Sequence, residues 1–129
     1  MKKLLLAFFA MFFLIGCGGG AEDTAKSFIE AFYKGDTSKV VSLIYLSEAE
    51  MKDKDVKPML EGKIGMSVSA AMDRAKEHGG VKSINIVDKN VGEDIAKVDV
   101  EVVFGDGETQ RERTNLRKNH KGQWRVVLN

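Results

Sequence analysis

The sequence predicts an α+β fold, in which two short helices and one long helix pack on a curved antiparallel sheet of about four strands. Apolar residues recur at spacings of three and four between residues 23 and 77, as in amphipathic helices. From Val81 onward they recur at every second position, as in strands with one buried face. Because the helices come first and the strands follow as hairpins, the helices are expected on one side of the sheet.

The first two predicted helices span residues 23–34 and 37–46. Asp23 is the expected N-cap of the first, and Gly35 is expected to end it, since glycine readily adopts the left-handed conformation that follows a helix. The apolar stripe of this helix places Tyr33 in the core rather than at a site. A polar loop is expected over residues 47–54.

The third predicted helix is long and covers residues 55–77. Pro58 lies in its first turn, where a missing N–H costs no hydrogen bond. The predicted strands then occupy residues 81–88, 96–104, 108–118 and 123–128. A three-residue loop, Gly105–Gly107, joins the second and third strands and fixes their register.

One face of the third strand is expected to be charged. The register places Asp99 opposite Arg113 and Glu101 opposite Arg111, and opposite charges on neighbouring strands attract. The simplest interpretation of the basic run is therefore a solvated face that the neighbouring strand neutralises. The more specific alternative is that this basic face contacts an anionic lipid. The run consists of Arg111, Arg113, Arg117 and Lys118.

The other face of the third strand is polar where a core is expected. Three polar residues, Gln110, Glu112 and Thr114, share that face with three valines of the second strand, Val98, Val100 and Val102. Polar groups on a buried face need hydrogen-bond partners. The alternative is that this end of the sheet is open to water, or that the register slips.

The N-terminus has the layout of a secretory signal peptide. Lys2 and Lys3 precede an apolar segment, residues 4–15, and a small residue follows. The segment is about 12 residues long, which is too short to cross a bilayer as a helix. Its end resembles the lipobox of bacterial lipoproteins, position by position: Leu14, Ile15, Gly16 and Cys17.

This resemblance implies that residues 1–16 are a signal peptide and that Cys17 receives a lipid on its sulfur after cleavage. Residues 17–22, with three consecutive glycines, then form a flexible tether. Two or three acyl chains would anchor the protein stably in a membrane. The folded domain is predicted to occupy residues 23–129.

Residues 31–36 (AFYKGD) and 122–126 (GQWRV), together with the order of elements, resemble the nuclear transport factor 2-like superfamily, a cystatin-like, cone-shaped α+β roll. In particular, the chain resembles small bacterial lipoproteins of unassigned function in that superfamily. The resemblance implies a pocket on the concave face of the sheet. It makes Gln110, Glu112 and Thr114 pocket-lining residues, and Glu112 a possible acid with a perturbed pKa.

Composition narrows the classes of partner. The 20 basic side chains nearly balance the 19 acidic ones, which gives no reason to expect a nucleic acid. Cys17 is the only cysteine, and the two histidines, His78 and His120, have no second ligand at metal-binding spacing. No metal or cofactor is predicted, and both histidines are expected at the surface.

The sequence therefore predicts a lipid-anchored, non-catalytic module of the bacterial cell envelope that binds a small apolar ligand or another envelope protein. An enzyme with Glu112 as its base is the second reading, and a structural module that forms a homodimer through its sheet is the third. Gly18, rather than an acidic residue, follows Cys17. This favours an outer over an inner membrane if the cell has both.

Overall fold

A computed structural model of the chain describes residues 20–128 as four helices followed by one sheet. The helices are α1 (Ala21–Lys34), α2 (Thr37–Ser42), α3 (Glu48–Lys52) and α4 (Val56–Glu77). The strands are β1 (Val81–Val91), β2 (Ile95–Phe104), β3 (Thr109–Lys118) and β4 (Trp124–Val126). All neighbouring strands are antiparallel in the order β1-β2-β3-β4, which confirms the predicted α+β class.

The predicted signal peptide, residues 1–16, and Cys17 lie outside the described residues. Within the described range, no helix combines the length and the apolar character needed to cross a membrane. Lipidation of Cys17 therefore stays a prediction.

The glycine between the first two helices acts as predicted. Gly35 has φ of 83°, and its N–H donates to the carbonyl of Ala31, so α1 ends there. Asp36 then caps α2, since its Oδ1 accepts a hydrogen bond from the Lys39 N–H at 3.2 Å. The start of α1 was predicted wrongly: its N-cap is Gly20 and not Asp23.

The predicted end of the second helix was also wrong. α2 ends at Ser42 instead of residue 46, because the next residues pair with β4. The Tyr45 N–H donates to the Val126 carbonyl, and the Val126 N–H donates to the Leu43 carbonyl, both at 2.7 Å. A strand-like contact thus overrides the helical periodicity of these residues.

The predicted loop at residues 47–54 contains the short helix α3. Ser47 accepts a hydrogen bond from the Glu50 N–H at 3.2 Å, and the Glu50 side chain accepts one from the Ser47 N–H at 2.9 Å. This reciprocal capping box satisfies two backbone donors and starts a helix in a stretch whose only apolar residues are Ala49 and Met51.

The core lies between the helices and the inner face of the sheet. α1 packs across all four strands, whereas α4 packs on α1 and α2. The buried core side chains include Phe28, Ile29, Val40, Val41, Ile64, Val68, Val98, Val100, Val102, Phe104, Leu116, Trp124 and Val126. Since α4 contributes few of these, much of it lies at the surface.

The β2–β3 hairpin has the predicted register. The Phe104 N–H donates to the Glu108 carbonyl at 2.8 Å, and Asp99 lies opposite Arg113. Val100 lies opposite Glu112, so these two side chains share the inner face. The short loop therefore sets which residues of β3 face the helices.

Candidate functional site

A cavity of about 590 Å³ lies between α1, α4 and the inner face of β3. This volume is in the range of small-molecule pockets. The apolar part of its wall is formed by Phe28, Ile29 and Phe32 of α1, Ile64, Ala70 and Ala71 of α4, and Val126, Val127 and Leu128. Because α4 rests on α1 and α2, it leaves space above β3 that the cavity occupies.

Polar side chains from three elements meet near the C-terminal ends of α1 and α4. Glu112 Oε2 accepts hydrogen bonds from the Tyr33 hydroxyl at 3.2 Å and from Gln110 Nε2 at 2.9 Å. Arg74 donates from Nη1 to Gln110 Oε1. All four side chains line the cavity, and we refer to them as the Tyr33–Glu112 cluster.

The cluster raises the pKa of the Tyr33 hydroxyl above that of an ordinary tyrosine. Burial, together with the charge and the hydrogen bond of Glu112, raises the pKa of Tyr33 to about 12, while the charge of Arg74 acts in the opposite direction. Tyr33 is therefore a hydrogen-bond donor to Glu112. Oε1 of Glu112 makes no hydrogen bond to any residue between 20 and 128, so it is available to a ligand.

The structure separates the six residues that the sequence suggested for the pocket. Gln110, Glu112 and Thr114 line the cavity. Val98, Val100 and Val102 face the same side but have no exposed surface and do not line it. The physical reason for this correction is that α1 packs directly on β2 and covers the valines, whereas β3 lies under the gap left by α4.

Sequence reasoning missed two members of the cluster. Tyr33 is half-buried and contacts Phe104, as expected of a core residue, but its hydroxyl reaches Glu112. Arg74 was not predicted at all. It follows Ile64 and Ala71 on α4 at spacings that keep one helix face, so it continues the cavity-lining stripe.

On the outer face of the sheet, Asp99 is almost fully buried between two arginines. Its Oδ2 accepts a hydrogen bond from Arg111 Nη2 at 2.8 Å, and its Oδ1 accepts one from Arg113 Nε at 2.9 Å. The bond from Arg113 is the largest influence that holds the pKa of Asp99 below its usual range. Arg111 lies opposite Glu101, as the predicted register requires, but its guanidinium pairs with Asp99, because long side chains reach diagonal neighbours.

The other half of the basic run has no such partner. The guanidinium carbon of Arg117 lies 4.7 Å from the centroid of the Tyr45 ring, and Lys118 Nζ lies 5.3 Å from that of Trp124. Neither residue forms an ion pair with a carboxylate of residues 20–128. The predicted neutralised face therefore holds for Arg111 and Arg113 only.

His78 has a structural role at the other end of the sheet. Its Nδ1 lies 2.7 Å from Asp106 Oδ2, and its carbonyl accepts a hydrogen bond from the Asp106 N–H. Asp106 accepts from the Glu108 N–H as well, and this bond and His78 lower the pKa of Asp106. These contacts tie the end of α4 to the β2–β3 hairpin. No group of three potential metal ligands occurs in the described part of the chain.

Helices on one face of a curved four-stranded antiparallel sheet, with a cavity between them, define a protein of the nuclear transport factor 2-like fold. The chain belongs to the family described as "Domain of unknown function (DUF4878)", whose model matches residues 15–127. No curated protein matches the chain.

Two solved structures support the fold. One is the crystal structure of a Campylobacter jejuni protein described provisionally as an NTF2-like transpeptidase. It is 36% identical over 86% of this chain and 100% of that chain, with a TM-score of 0.76. The other is the solution structure of a SEC-C motif containing protein from Rhodopseudomonas palustris. It is 13% identical over 86% of this chain and 79% of that chain, with a TM-score of 0.50, and this likeness shows the fold alone.

Proposed function

We propose that this protein is a non-catalytic binding module of the bacterial cell envelope, held on a membrane by lipid on Cys17, whose cavity takes a small and largely apolar ligand. The observation that carries the proposal is the cavity itself. Its volume suits a small molecule, its walls are mainly apolar, and four of its polar side chains form one hydrogen-bonded cluster.

The cluster suggests the chemistry of one end of the ligand. Glu112 Oε2 already accepts two hydrogen bonds, whereas Oε1 has no partner among residues 20–128. A ligand with an N–H or ammonium group could donate to Oε1 while its apolar body lies against Phe28, Phe32 and Ile64. Such a charge-assisted bond would orient the ligand in the cavity.

The proposed anchor rests on the lipobox, Leu14 to Cys17, and on the basic start of the chain. α1 begins at Ala21, so only three glycines separate Cys17 from the folded domain. A module held this close to lipid is well placed to receive apolar molecules or to contact other envelope proteins. Gly18 after Cys17 favours the outer membrane where a cell has two.

An enzyme is the second candidate, and the hydrogen bond between Tyr33 and Glu112 favours it. A carboxylate beside a protonated tyrosine offers a base and a hydrogen-bond donor in one cavity. The name of the Campylobacter jejuni relative suggests acyl transfer instead, which requires an activated nucleophile. In the described range, the wall hydroxyls of Ser67 and Thr114 make no hydrogen bond to a carboxylate or an imidazole, so we place binding first.

Filling the cavity tests the proposed binding. The full chain is placed in lipid nanodiscs and titrated with a fluorescent naphthylamine probe, and empty nanodiscs report partition into lipid. Ala71→Trp, on the cavity wall, should weaken saturable probe binding at least tenfold. Ala49→Trp, on the exposed α3, is the matched control and should change it less than twofold. Equal binding by both variants would exclude the cavity as the site.

A further inference from the structure

A second cavity lies on the outer face of the sheet; it shares Asn115 and Val127 with the wall of the first cavity but includes no member of the Tyr33–Glu112 cluster. It has a volume of about 360 Å³ and opens between the ends of β1, β2 and β3. We refer to it as the outer groove. Its wall is partly apolar and partly cationic, and its side chains include Asn90, Ile95, Lys97, Asn115, Arg117 and Val127.

The cations of the outer groove form no ion pair with a carboxylate of the described residues, 20–128. Lys97 and Arg117 line the groove and are diagonal neighbours on β2 and β3; Arg125, outside the groove lining, lies directly opposite Arg117. Arg125 forms no ion pair with a carboxylate of these residues either. Like charges placed opposite each other on neighbouring strands repel, and an anion between them would relieve that repulsion.

Arg117 is already oriented for an anion. Its guanidinium stacks on the ring of Tyr45 and makes no hydrogen bond to a residue between 20 and 128. Stacking occupies the face of the guanidinium and leaves its N–H donors free at the edge, which is the geometry that suits a phosphate. This separates Arg117 from Arg111 and Arg113, whose donors are taken by Asp99.

The outer groove lies at the end of the domain where the tether begins. Glu22, in the first turn of α1, forms an ion pair with Lys89 near the end of β1, at 2.5 Å. The Lys118 N–H donates to the Asp94 carbonyl, which joins the end of β3 to the β1–β2 hairpin. The three residue steps from Cys17 to Gly20 span at most about 11 Å. A lipid on Cys17 would therefore hold this end of the domain beside the bilayer.

The same end carries exposed apolar side chains. Ile95 is 67% exposed and Val91 is 44% exposed, and they flank the β1–β2 hairpin. The tip of this hairpin carries two acidic residues, Glu93 and Asp94. The cations that would contact a phosphate are therefore those on the strands, Lys97 and Arg117. The two exposed apolar side chains, Val91 and Ile95, lie beside the cations of the groove, a combination that fits the boundary between headgroups and acyl chains.

We infer that this end of the domain docks on the membrane, with the phosphate of an anionic phospholipid in the outer groove and with Ile95 at the level of the acyl chains. This inference rests on the proposed anchoring through Cys17. It adds a defined orientation: the outer groove faces the bilayer, and the β2–β3 hairpin points away from it. The two hairpins are separated by the ten residues of β2, or about 30 Å.

Two matched reporters test the orientation. Lipidated full-length protein, labelled with a fluorophore at Glu93→Cys or at Glu108→Cys, is reconstituted in vesicles that contain phosphatidylglycerol and nitroxide-labelled lipid. Both positions are exposed glutamates on hairpins at opposite ends of the sheet. The label at residue 93 should be quenched at least twice as strongly as the label at residue 108. Equal quenching would overturn the docking.

Charge variants test the role of the outer groove. Lys97→Gln with Arg117→Gln should reduce the ratio of docked to undocked protein, measured at residue 93, about fivefold for each cation removed. Lys76→Gln with Lys82→Gln removes the same charge from exposed positions at the other end and should have no effect. Thermal unfolding verifies that the variants fold. If Arg117→Gln prevents folding, the single variant Lys97→Gln tests the groove on its own. Docking that is equal in neutral vesicles, or unchanged in the groove variants, would overturn the phosphate site.

The mass of the N-terminal peptide distinguishes failure of the lipid anchor on Cys17 from failure of the membrane docking. Acylated Cys17 with an unquenched label at residue 93 would refute the docking and leave the anchor intact. A peptide without acyl mass would refute the anchor, and the docking that rests on it.

Discussion

The hydroxyl of Tyr33 lies 3.2 Å from Oε2 of Glu112 and joins parts of the chain that are 79 residues apart. The contact fixes the end of α1 over the polar side of β3. It also explains how a carboxylate is accommodated on the inner face of the sheet, since Gln110 supplies a second donor to the same oxygen. The floor of the cavity is therefore a hydrogen-bonded unit rather than an isolated acid.

Replacing Tyr33 with Phe removes one donor but keeps the ring that packs on Phe104. We expect the free energy of unfolding to fall by about 1–2 kcal/mol, because the lost hydrogen bond is to a charged group and is partly buried. Urea denaturation at pH 7 measures the loss. Tyr45→Phe is the control, since the Tyr45 hydroxyl makes no hydrogen bond to a residue from 20 to 128. Equal losses in both variants would contradict the prediction.

The stabilisation by the contact between Tyr33 and Glu112 should depend on pH in the alkaline range. The pKa of Tyr33 in the folded protein, about 12, is above the ordinary value of about 10. The stabilisation is therefore complete below about pH 10 and is lost as the pH rises towards the folded pKa. An ultraviolet titration should show one tyrosine ionising near pH 12, and that step should be absent in Tyr33→Phe.

Asp99 is expected to be the most important carboxylate of the outer face. Asp99→Asn leaves Arg111 and Arg113 without a charged acceptor and should lower the free energy of unfolding by about 1–3 kcal/mol at pH 7. Asp88→Asn is the control, because Asp88 is exposed and 4.0 Å from Arg111, and its effect should stay below about 0.5 kcal/mol.

The effect of Asp99→Asn should depend on pH. The pKa of Asp99 is lower in the folded protein than its ordinary value of about 3.9, so its stabilisation is present above that pH. It disappears as the pH falls through the folded pKa. Urea denaturation at pH 7 and at about pH 2 should show wild type and variant converging in acid, and a constant difference would contradict this.

The β2–β3 hairpin shows how much of the fold the sequence could predict. A loop of three residues and strict alternation were sufficient to place Val100 opposite Glu112, since both are local and periodic properties. α3 was missed because it is short and has only two apolar residues, Ala49 and Met51, which do not form a helical stripe. Its signal is the spacing of Ser47 and Glu50, which forms a capping box without any apolar stripe.

The candidate site was less predictable because it depends on packing between distant elements. Gln110, Glu112 and Thr114 follow from the register, but Tyr33 and Arg74 join them only through the positions that α1 and α4 take above β3. The same packing buries Val98, Val100 and Val102 beneath α1. Alternation along a strand tells which side a residue faces, but not whether a helix covers it.

Cys17→Ser tests the proposed anchor. Serine lacks the nucleophilic thiolate that would accept the lipid, so the variant should accumulate as uncleaved precursor without acyl mass on its N-terminal peptide. Gly19→Ser, two residues later, is the control and should be processed normally. Mass spectrometry and membrane fractionation measure both. A Cys17→Ser protein that is still cleaved before residue 17 and remains with the membranes would refute the lipid anchor.

Glu112→Gln tests whether the cavity recognises a donor on its ligand. The amide keeps the shape of the carboxylate and can still accept from Tyr33, so stability should change by less than about 1 kcal/mol. The charge is lost, and an NH2 donor replaces the acceptor oxygen Oε1 that faces the cavity. The test uses two naphthyl probes of similar size, one ending in an ammonium group and one in a methyl group. Their binding to the full chain in nanodiscs separates loss of the charged acceptor from a change in the shape of the cavity.

The ammonium probe should bind Glu112→Gln at least tenfold more weakly than wild type, because the amide NH2 that takes the place of Oε1 cannot accept the charge-assisted hydrogen bond. The methyl probe should bind both proteins within about twofold, because its contacts are with the apolar wall, which the substitution leaves unchanged. Thr114→Val alters the same wall without changing its charge and is the control. If both probes lose affinity equally in Glu112→Gln, the carboxylate supports the shape of the cavity and does not recognise the ligand.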